Sequence, residues 1–418
     1  MTKTIKPKTK PQARTSTRTA NQEYADAQLR RQIFLLHYSE GLFRRANAAL
    51  AATERALAGA IHYNLRGSKG LRTPHQWAAL NEALQDITAD RVSAWNDVEK
   101  LLSLELLSLA RQEVIAQDSM IHAVAPVIFS TQKDMPKEWA ELILKQRPFQ
   151  GATFQQWVKK LKEDDIRRIT ATITSQMLQG ADLTQITNAV IGTAESLGIN
   201  GATQSARNEL KRITRTAVMA VSNFARRDYI INNADVITGE KFVATLDSRT
   251  TVQCASLDGK LYKVGEGPIP PLHFCCRSVR VPYLGDELFG TRPADPTTEQ
   301  SLVEEFVADN GVNTTAKTRE DLPWGWKTKF DRFARERVRA LAGPIPVTTS
   351  YQDWLRSQSA QFQDYVLGKT KARLFRDGRL SLDKIIGANG GELTLKELAR
   401  LERDAFKAAG LDPDKYLK

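Results

Sequence analysis

Leu29–Ile61, LRRQIFLLHYSEGLFRRANAALAATERALAGAI, sets the architecture of this chain. Leu29, Leu36, Phe43, Leu50 and Leu57 recur at every seventh position, and Ile33, Ala46 and Ile61 supply part of a second line. Apolar residues at that spacing share one side of an α-helix, and such a stripe is stable only when something covers it. A partner follows directly. Gly67, Ser68 and Gly70 break the pattern, and Thr73-Pro74-His75-Gln76 then offers an N-cap, a proline at the first helical position and a glutamine that closes a capping box. Trp77, Leu80, Leu84, Ile87, Ala94, Val98 and Leu101 continue as a second stripe. Residues 21–128 are therefore expected to form a long antiparallel helical hairpin.

Arg147-Pro148-Phe149-Gln150-Gly151 interrupts the helical pattern, and Thr153 with Gln156 opens another capped helix. A middle helical domain is expected over 145–235. Near its end Leu210, Ile213, Ala217, Val221 and Phe224 share one helix face, with Arg207, Lys211, Arg215 and Arg226 on the other. That basic stripe reads either as a solvated face or as a surface for phosphates. Phe242, Ala244 and Leu246 then alternate in strand fashion, and Asp258-Gly259 reads as a hairpin turn, giving a small β subdomain over 236–285. Residues 286–320 have the composition of a linker, and 321–418 return to a helical pattern. The expected fold class is α+β, predominantly helical.

The chain has 418 residues, 41% of them hydrophobic, which is enough for more than one core. Its formal charge is +12, half of it on Lys3, Lys6, Lys8, Lys10, Arg14 and Arg18 in an acid-free segment. Residues 1–20 are thus expected to be a disordered basic tail, able to contact DNA or to remain solvated. No run of about 18 apolar residues occurs, and Met1–Ala20 lacks the apolar centre of a signal peptide. No membrane partner is expected, and synthesis in a cytoplasm is.

Three cysteines are too few for a disulfide framework, yet all of them fall in one segment with His273. The other histidines, His37, His62, His75 and His122, lie on expected helices or their caps. Cys254, His273 and Cys276 have the donor types that tetrahedral zinc prefers, and Cys275, Asp247, Asp258 or a water could complete the set. A catalytic alternative makes Cys254 a nucleophile, His273 its base and Asp247 the orienting acid, which would make the chain a cysteine hydrolase; an open zinc site would make it a zinc-assisted one. A packing alternative has the cysteines fill a small core while Asp247 and Arg249 pair across a turn.

The order of these residues is informative as a set. Asp247-Ser-Arg249-Thr250, Cys254, Leu257-Asp258-Gly259, Pro271 and His273-x-x-Cys276-Arg277, preceded by Arg215-Thr216 and Asn223, resemble the phage Mu F-like head morphogenesis family. Trp354-Leu355-x-x-Gln358, Leu367-Gly368-Lys369-Thr370 and Leu374-Phe375-x-x-Gly378 resemble a C-terminal segment often attached to it. Many members end the motif His-Pro-Asn-Cys-Arg-Cys, where this chain has His273-Phe-Cys-Cys-Arg-Ser278. The resemblance implies a non-enzymatic minor head protein of a bacteriophage, assembled with the portal and capsid proteins of the same phage, resident in the virion and able to touch DNA.

Overall fold

In the computed structural model, which describes residues 20–67, 71, 73–124, 135–193, 200–234, 237–283, 291–312, 314–346 and 348–417, two helices dominate. Helix α1 (Ala20–Asn64) has 45 residues and α2 (Pro74–Val124) has 51, so each extends about 70 Å at 1.5 Å per residue. They run antiparallel: Tyr24 meets Gln117, Tyr38 meets Glu105, and Arg91 reaches the Leu50 carbonyl. The cap of α2 forms as its sequence requires. The Thr73 backbone N–H donates to Gln76 Oε1 at 3.0 Å, and the Gln76 N–H donates to Thr73 Oγ1 at 3.3 Å.

The register of α1 differs from the heptad reading. Gln28, Gln32, Leu35, Ser39 and Leu42 are buried, whereas Ile33 and Leu36 are exposed, so the first half of the seam lies one residue earlier than the leucine spacing suggests. From Ala46 through Leu50, Leu57 and Ile61 the seam and the apolar stripe coincide. Polar residues hold the early positions because they find polar partners there: Gln28 meets Gln117 of α2, the Gln32 side chain donates to the Arg277 carbonyl, and Ser39 donates to the Leu36 carbonyl. Trp77, expected in the stripe of α2, is also exposed.

Helices α3 (Lys137–Gln146), α4 (Phe154–Leu178), α5 (Leu183–Ile191) and α6 (Ala202–Asn232) follow. Thr153 and Gln156 form the full capping box of α4. One core joins Leu35, Leu42, Trp95, Ile143, Val158 and Leu210 from α1, α2, α3, α4 and α6. The basic stripe of α6 is paired with acids of the hairpin, although Lys211 and Arg215 stay partly exposed. Arg207 pairs with Glu54, Lys211 and Arg215 pair with Glu40, and Arg226 is buried against Glu113, so the stripe is the seam through which α6 docks on the hairpin.

Strands β1 (Gly239–Val243) and β2 (Leu246–Asp247), helix α7 (Val252–Leu257), and strands β3 (Leu261–Tyr262) and β4 (Val279–Tyr283) come next. One antiparallel sheet has the order β3-β1-β4. Phe242, Ala244 and Leu246 are all buried, as their alternation predicts. Asp258-Gly259 is not a turn between two strands. Asp258 ends α7, and Gly259, at φ +82°, redirects the chain into β3. Residues 286–320, read as a linker, contain β5 (Thr291–Asp295) and α8 (Glu299–Asn310).

Helix α9 (Trp324–Leu341) packs on α8, and β6 (Gly343–Pro346) pairs with β5 in a second sheet of order β2-β5-β6. Helices α10 (Tyr351–Ser357), α11 (Ala360–Leu367), α12 (Lys369–Arg376), α13 (Leu395–Leu401) and α14 (Arg403–Ala408) close a core around Trp354, Leu355, Phe375 and Phe406. The fold is α+β and predominantly helical. Lys3, Lys6, Lys8, Lys10, Arg14 and Arg18 lie outside the described residues. No helix among the described residues is long and apolar enough to cross a membrane.

Candidate metal centre

Thr251 caps α7 by accepting the Cys254 backbone N–H at 3.4 Å, which fixes Cys254 in the first turn. There its Sγ lies 3.3 Å from His273 Nε2 and 3.7 Å from Cys276 Sγ, and the three donor atoms all lie within 4.8 Å of one another. A tetrahedral zinc ion at ordinary bond lengths separates neighbouring sulfur and nitrogen donors by about 3.4–3.8 Å. Two of the three edges are therefore already near zinc geometry. Cys254 is 1% exposed and Cys276 0%, while His273 is half-buried. His273 Nδ1 sits 2.9 Å from the Phe274 carbonyl. A proton on Nδ1 donates to that carbonyl and leaves the Nε2 lone pair directed at the sulfurs, the arrangement that orients a metal-binding imidazole.

The two thiols titrate as a pair. The hydrogen bond from Cys254 holds Cys276 well below the usual thiol range despite burial, and His273 adds to the effect. The same bond and burial push Cys254 upward. Burial opposes charge on His273, but its hydrogen bond and attraction to Cys276 raise it overall. One thiolate, on Cys276, thus faces a thiol and an imidazole. Such a donor set is suited to a soft or borderline cation.

The loop carrying His273 and Cys276 is held from several helices. The Cys276 N–H donates to the His273 carbonyl at 3.2 Å, and Cys275, at φ +57°, donates its N–H to Thr216 Oγ1 of α6 at 2.9 Å. Asn223 Nδ2 reaches the Ser278 carbonyl at 3.5 Å, and Gln150 Nε2 donates to the Pro271 carbonyl at 3.0 Å. Phe274 packs edge-on against Trp157, with the Arg212 guanidinium 3.8 Å from its ring centre. From α1, the Gln32 side chain donates to the Arg277 carbonyl. Thr216 and Asn223 were visible in the sequence only as part of the family resemblance. Gln32, Gln150 and Trp157 carried no signal, because their role depends on distant segments meeting.

The other candidate residues build a brace beside the cluster. Arg277 donates to both carboxylate oxygens of Asp247, at 2.7 Å on Oδ1, and Thr250 Oγ1 and Arg249 Nη2 lie 3.2 and 3.3 Å from that carboxylate. Burial would raise Asp247, but Arg277 outweighs it and holds the carboxyl below its usual range. Asp258 accepts backbone N–H groups from Ala244 and Tyr351, each at 2.7 Å, and pairs with Arg292 through both oxygens. The Tyr351 hydroxyl donates to the Asp247 carbonyl at 2.8 Å. Gly259 donates its N–H to the Phe242 carbonyl at 2.9 Å.

Offered from sequence as a fourth ligand, Asp247 and Asp258 are instead engaged by arginines, and Cys275 is not among the converging donors. The hydrolase triad is not assembled either, since the His273 ring nitrogen meets a backbone carbonyl where Asp247 would have to stand. Two open clefts, of about 460 and 340 Å³, lie between α8 and α11 and between α4 and α6, and none of the residues of the Cys254 cluster lines them.

No curated protein and no solved structure matches the chain. Residues 144–281, which run from the end of α3 into β4 and include the whole Cys254–His273–Cys276 cluster, match the family model described as Phage Mu protein F like protein.

Proposed function

We propose that the chain is a structural minor head protein that joins the portal and capsid proteins of its phage during assembly, and that Cys254, His273 and Cys276 hold a zinc ion that braces its central module. The observation that carries the reading is that the family match spans the same residues whose motif side chains converge in space. A structural role for the metal is supported by the burial of both cysteines and by a cluster that includes no carboxylate among the described residues. With three protein donors a fourth position stays open to water, but no carboxylate among the described residues joins the cluster to act as the base that zinc-assisted hydrolysis needs.

A long hairpin suits a component that spans from one neighbour to another, and the six basic residues from Lys3 to Arg18 give it a means of contacting DNA. The protein works in the host cytoplasm while heads are built and stays in the virion. Mass spectrometry of purified particles should find the chain, and cells infected with phage lacking it should make defective heads. Particles that contain none of it, together with normal heads in its absence, would end this reading. Metal analysis of untagged protein purified without added zinc tests the brace separately: about one zinc per chain is expected, and a content near zero leaves a packed thiol core.

A further inference from the structure

Helices α8 and α9 share a small core built on Leu302, Val303, Phe306 and Phe330, and charge divides sharply between them. Helix α8 carries four acids and no basic residue; α9 carries six basic residues against Asp331 and Glu336. Three of those cations are occupied. Lys327 pairs with Glu320 at 2.8 Å, Arg337 with Glu305 at 2.7 Å, and Lys329 lies 4.5 Å from the Trp326 ring centre. Arg332, Arg335 and Arg339 are exposed and form no ion pair among the described residues. Asp331 feels the charge of Arg335, but Arg319 holds both its oxygens, at 2.6 and 2.9 Å.

Successive residues turn by about 100°, so Arg332, Arg335 and Arg339 fall within roughly 60° of one another on the outer face, over a rise of about 10 Å. Trp324, 75% exposed, stands at the edge of the same face two turns earlier. Apart from that indole the face offers Thr328 and no apolar side chain, and exposed Glu336, about 40° round from Arg332, borders it. A protein-docking site surrounds its arginine anchors with an apolar centre, whereas a phosphate-binding surface is polar and wet. Guanidinium forks match phosphate oxygens and remain charged at any working pH.

We propose that the outer face of α9 binds the phosphate backbone of double-stranded DNA without regard to base sequence, through Arg332, Arg335 and Arg339. The binding stands on the geometry alone; that the DNA is the packaged genome rests on the head-protein reading. The test uses the full chain, a short labelled duplex of arbitrary sequence and a potassium chloride series read by fluorescence anisotropy. Wild type is compared with a variant carrying Arg332→Gln, Arg335→Gln and Arg339→Gln, whose melting temperature should be unchanged because all three side chains are exposed.

Each phosphate contact contributes about 0.9 to the slope of log affinity against log salt, so the triple variant should flatten that slope by roughly 2.7 and bind at least about tenfold more weakly at low salt. Trp324→Ala should leave the slope unaltered, since no counterion is released at an indole. A triple variant with wild-type affinity and slope overturns the proposal, and so does polyglutamate that competes as well as DNA at equal charge. Absence of the chain from purified heads, with DNA binding intact, counts against the head reading alone.

Discussion

Two parts of this molecule bury polar groups, and they do so in opposite ways. Where α1, α2 and α6 meet, Glu113 is fully enclosed and both its oxygens are engaged: Oε1 by Arg226 at 2.6 and 3.0 Å and by Gln117 at 2.7 Å, Oε2 by Arg31 at 2.9 Å. That set contains both signs of charge, and the protein itself satisfies both carboxylate oxygens. In the corner between α7 and the His273 loop, the buried groups are two sulfurs and an imidazole, all of them lone-pair donors. Such a set is suited to a soft or borderline cation. The first system should respond to loss of a partner and to acid, and the second to a chelator.

The largest effect is expected at Glu113. Glu113→Ala leaves Arg226 buried without an anionic partner, and breaking a buried pair in this way costs roughly 3–5 kcal/mol. Replacing both partners with apolar residues, Glu113→Leu with Arg226→Met, should recover most of that loss in urea unfolding, and an unrepaired double variant would show that the pair does more than neutralise itself. Burial works against the Glu113 carboxylate, but Arg226 and Arg31 hold it at about 2, below the ordinary 4.5. A depressed carboxylate stabilises the fold above its unfolded value and loses that contribution as pH falls through the folded one. Wild-type stability should therefore drop between about pH 4.5 and 2 more steeply than that of the double variant, and parallel titrations would remove Glu113 as the cause.

Next in size is the cluster. With zinc bound, a chelator and Cys254→Ser should each destabilise the central module by an amount on the order of 3 kcal/mol, and the two should not add, because both remove the same ion. Cys275→Ser should change melting by less than about 0.5 kcal/mol, since its thiol is outside the converging set. Glu113→Ala should keep its full sensitivity to chelator. Should chelation leave melting untouched, the corner is a packed thiol core, and Cys254→Ser then reports lost burial alone.

Asp258 links the two kinds of region. Asp258→Asn weakens the Arg292 pair and leaves a poorer acceptor for the Ala244 and Tyr351 N–H groups, a loss of roughly 2 kcal/mol for hydrogen bonds to a charged group. Because Tyr351 begins α10, limited proteolysis should cut 348–417 free sooner in the variant; an unchanged digestion pattern would assign the docking of that unit to its apolar contacts instead.

What the sequence makes legible follows the range of the forces involved. Capping boxes at Thr73 and Thr153 act over three residues, and both form as read. Helical periodicity located the long hairpin, but it misplaced the early seam by one residue, because Gln28 and Gln32 are buried by partners on α2 and in the His273 loop that no local pattern announces. The basic stripe of α6 misled for the same reason: its acids lie on α1 and α2, more than 150 residues away in sequence for Arg207 and Glu54 or Arg215 and Glu40. At the candidate site, Cys254, His273 and Cys276 could be grouped by donor type and spacing. The assignment of Asp247 to Arg277 and of Asp258 to Arg292 could not, since each carboxylate has several arginines within reach in sequence and only the fold chooses among them.

A smaller loss than at Asp258 is expected where water can substitute for what is removed. Thr153 accepts the Gln156 N–H at 3.4 Å, and Gln156 Oε1 returns a bond to the Thr153 N–H at 2.8 Å, both at an exposed helix start. Thr153→Ala removes one acceptor, and solvent hydrates the freed N–H, so the loss should be about 1 kcal/mol. Gln156→Ala should cost less, because the Thr153 hydroxyl remains to cap the helix. Neither change should alter the response to acid or to chelator, since the cap touches neither buried set. Thr153 stands four residues after Phe149, whose carbonyl accepts the Trp157 indole N–H at 2.9 Å, and Trp157 in turn packs on Phe274. If Thr153→Ala costs several kcal/mol, or if it sharpens chelator sensitivity, the first turn of α4 is then part of the support of the His273 loop, and the line between the exposed cap and the buried corner must be redrawn through Trp157.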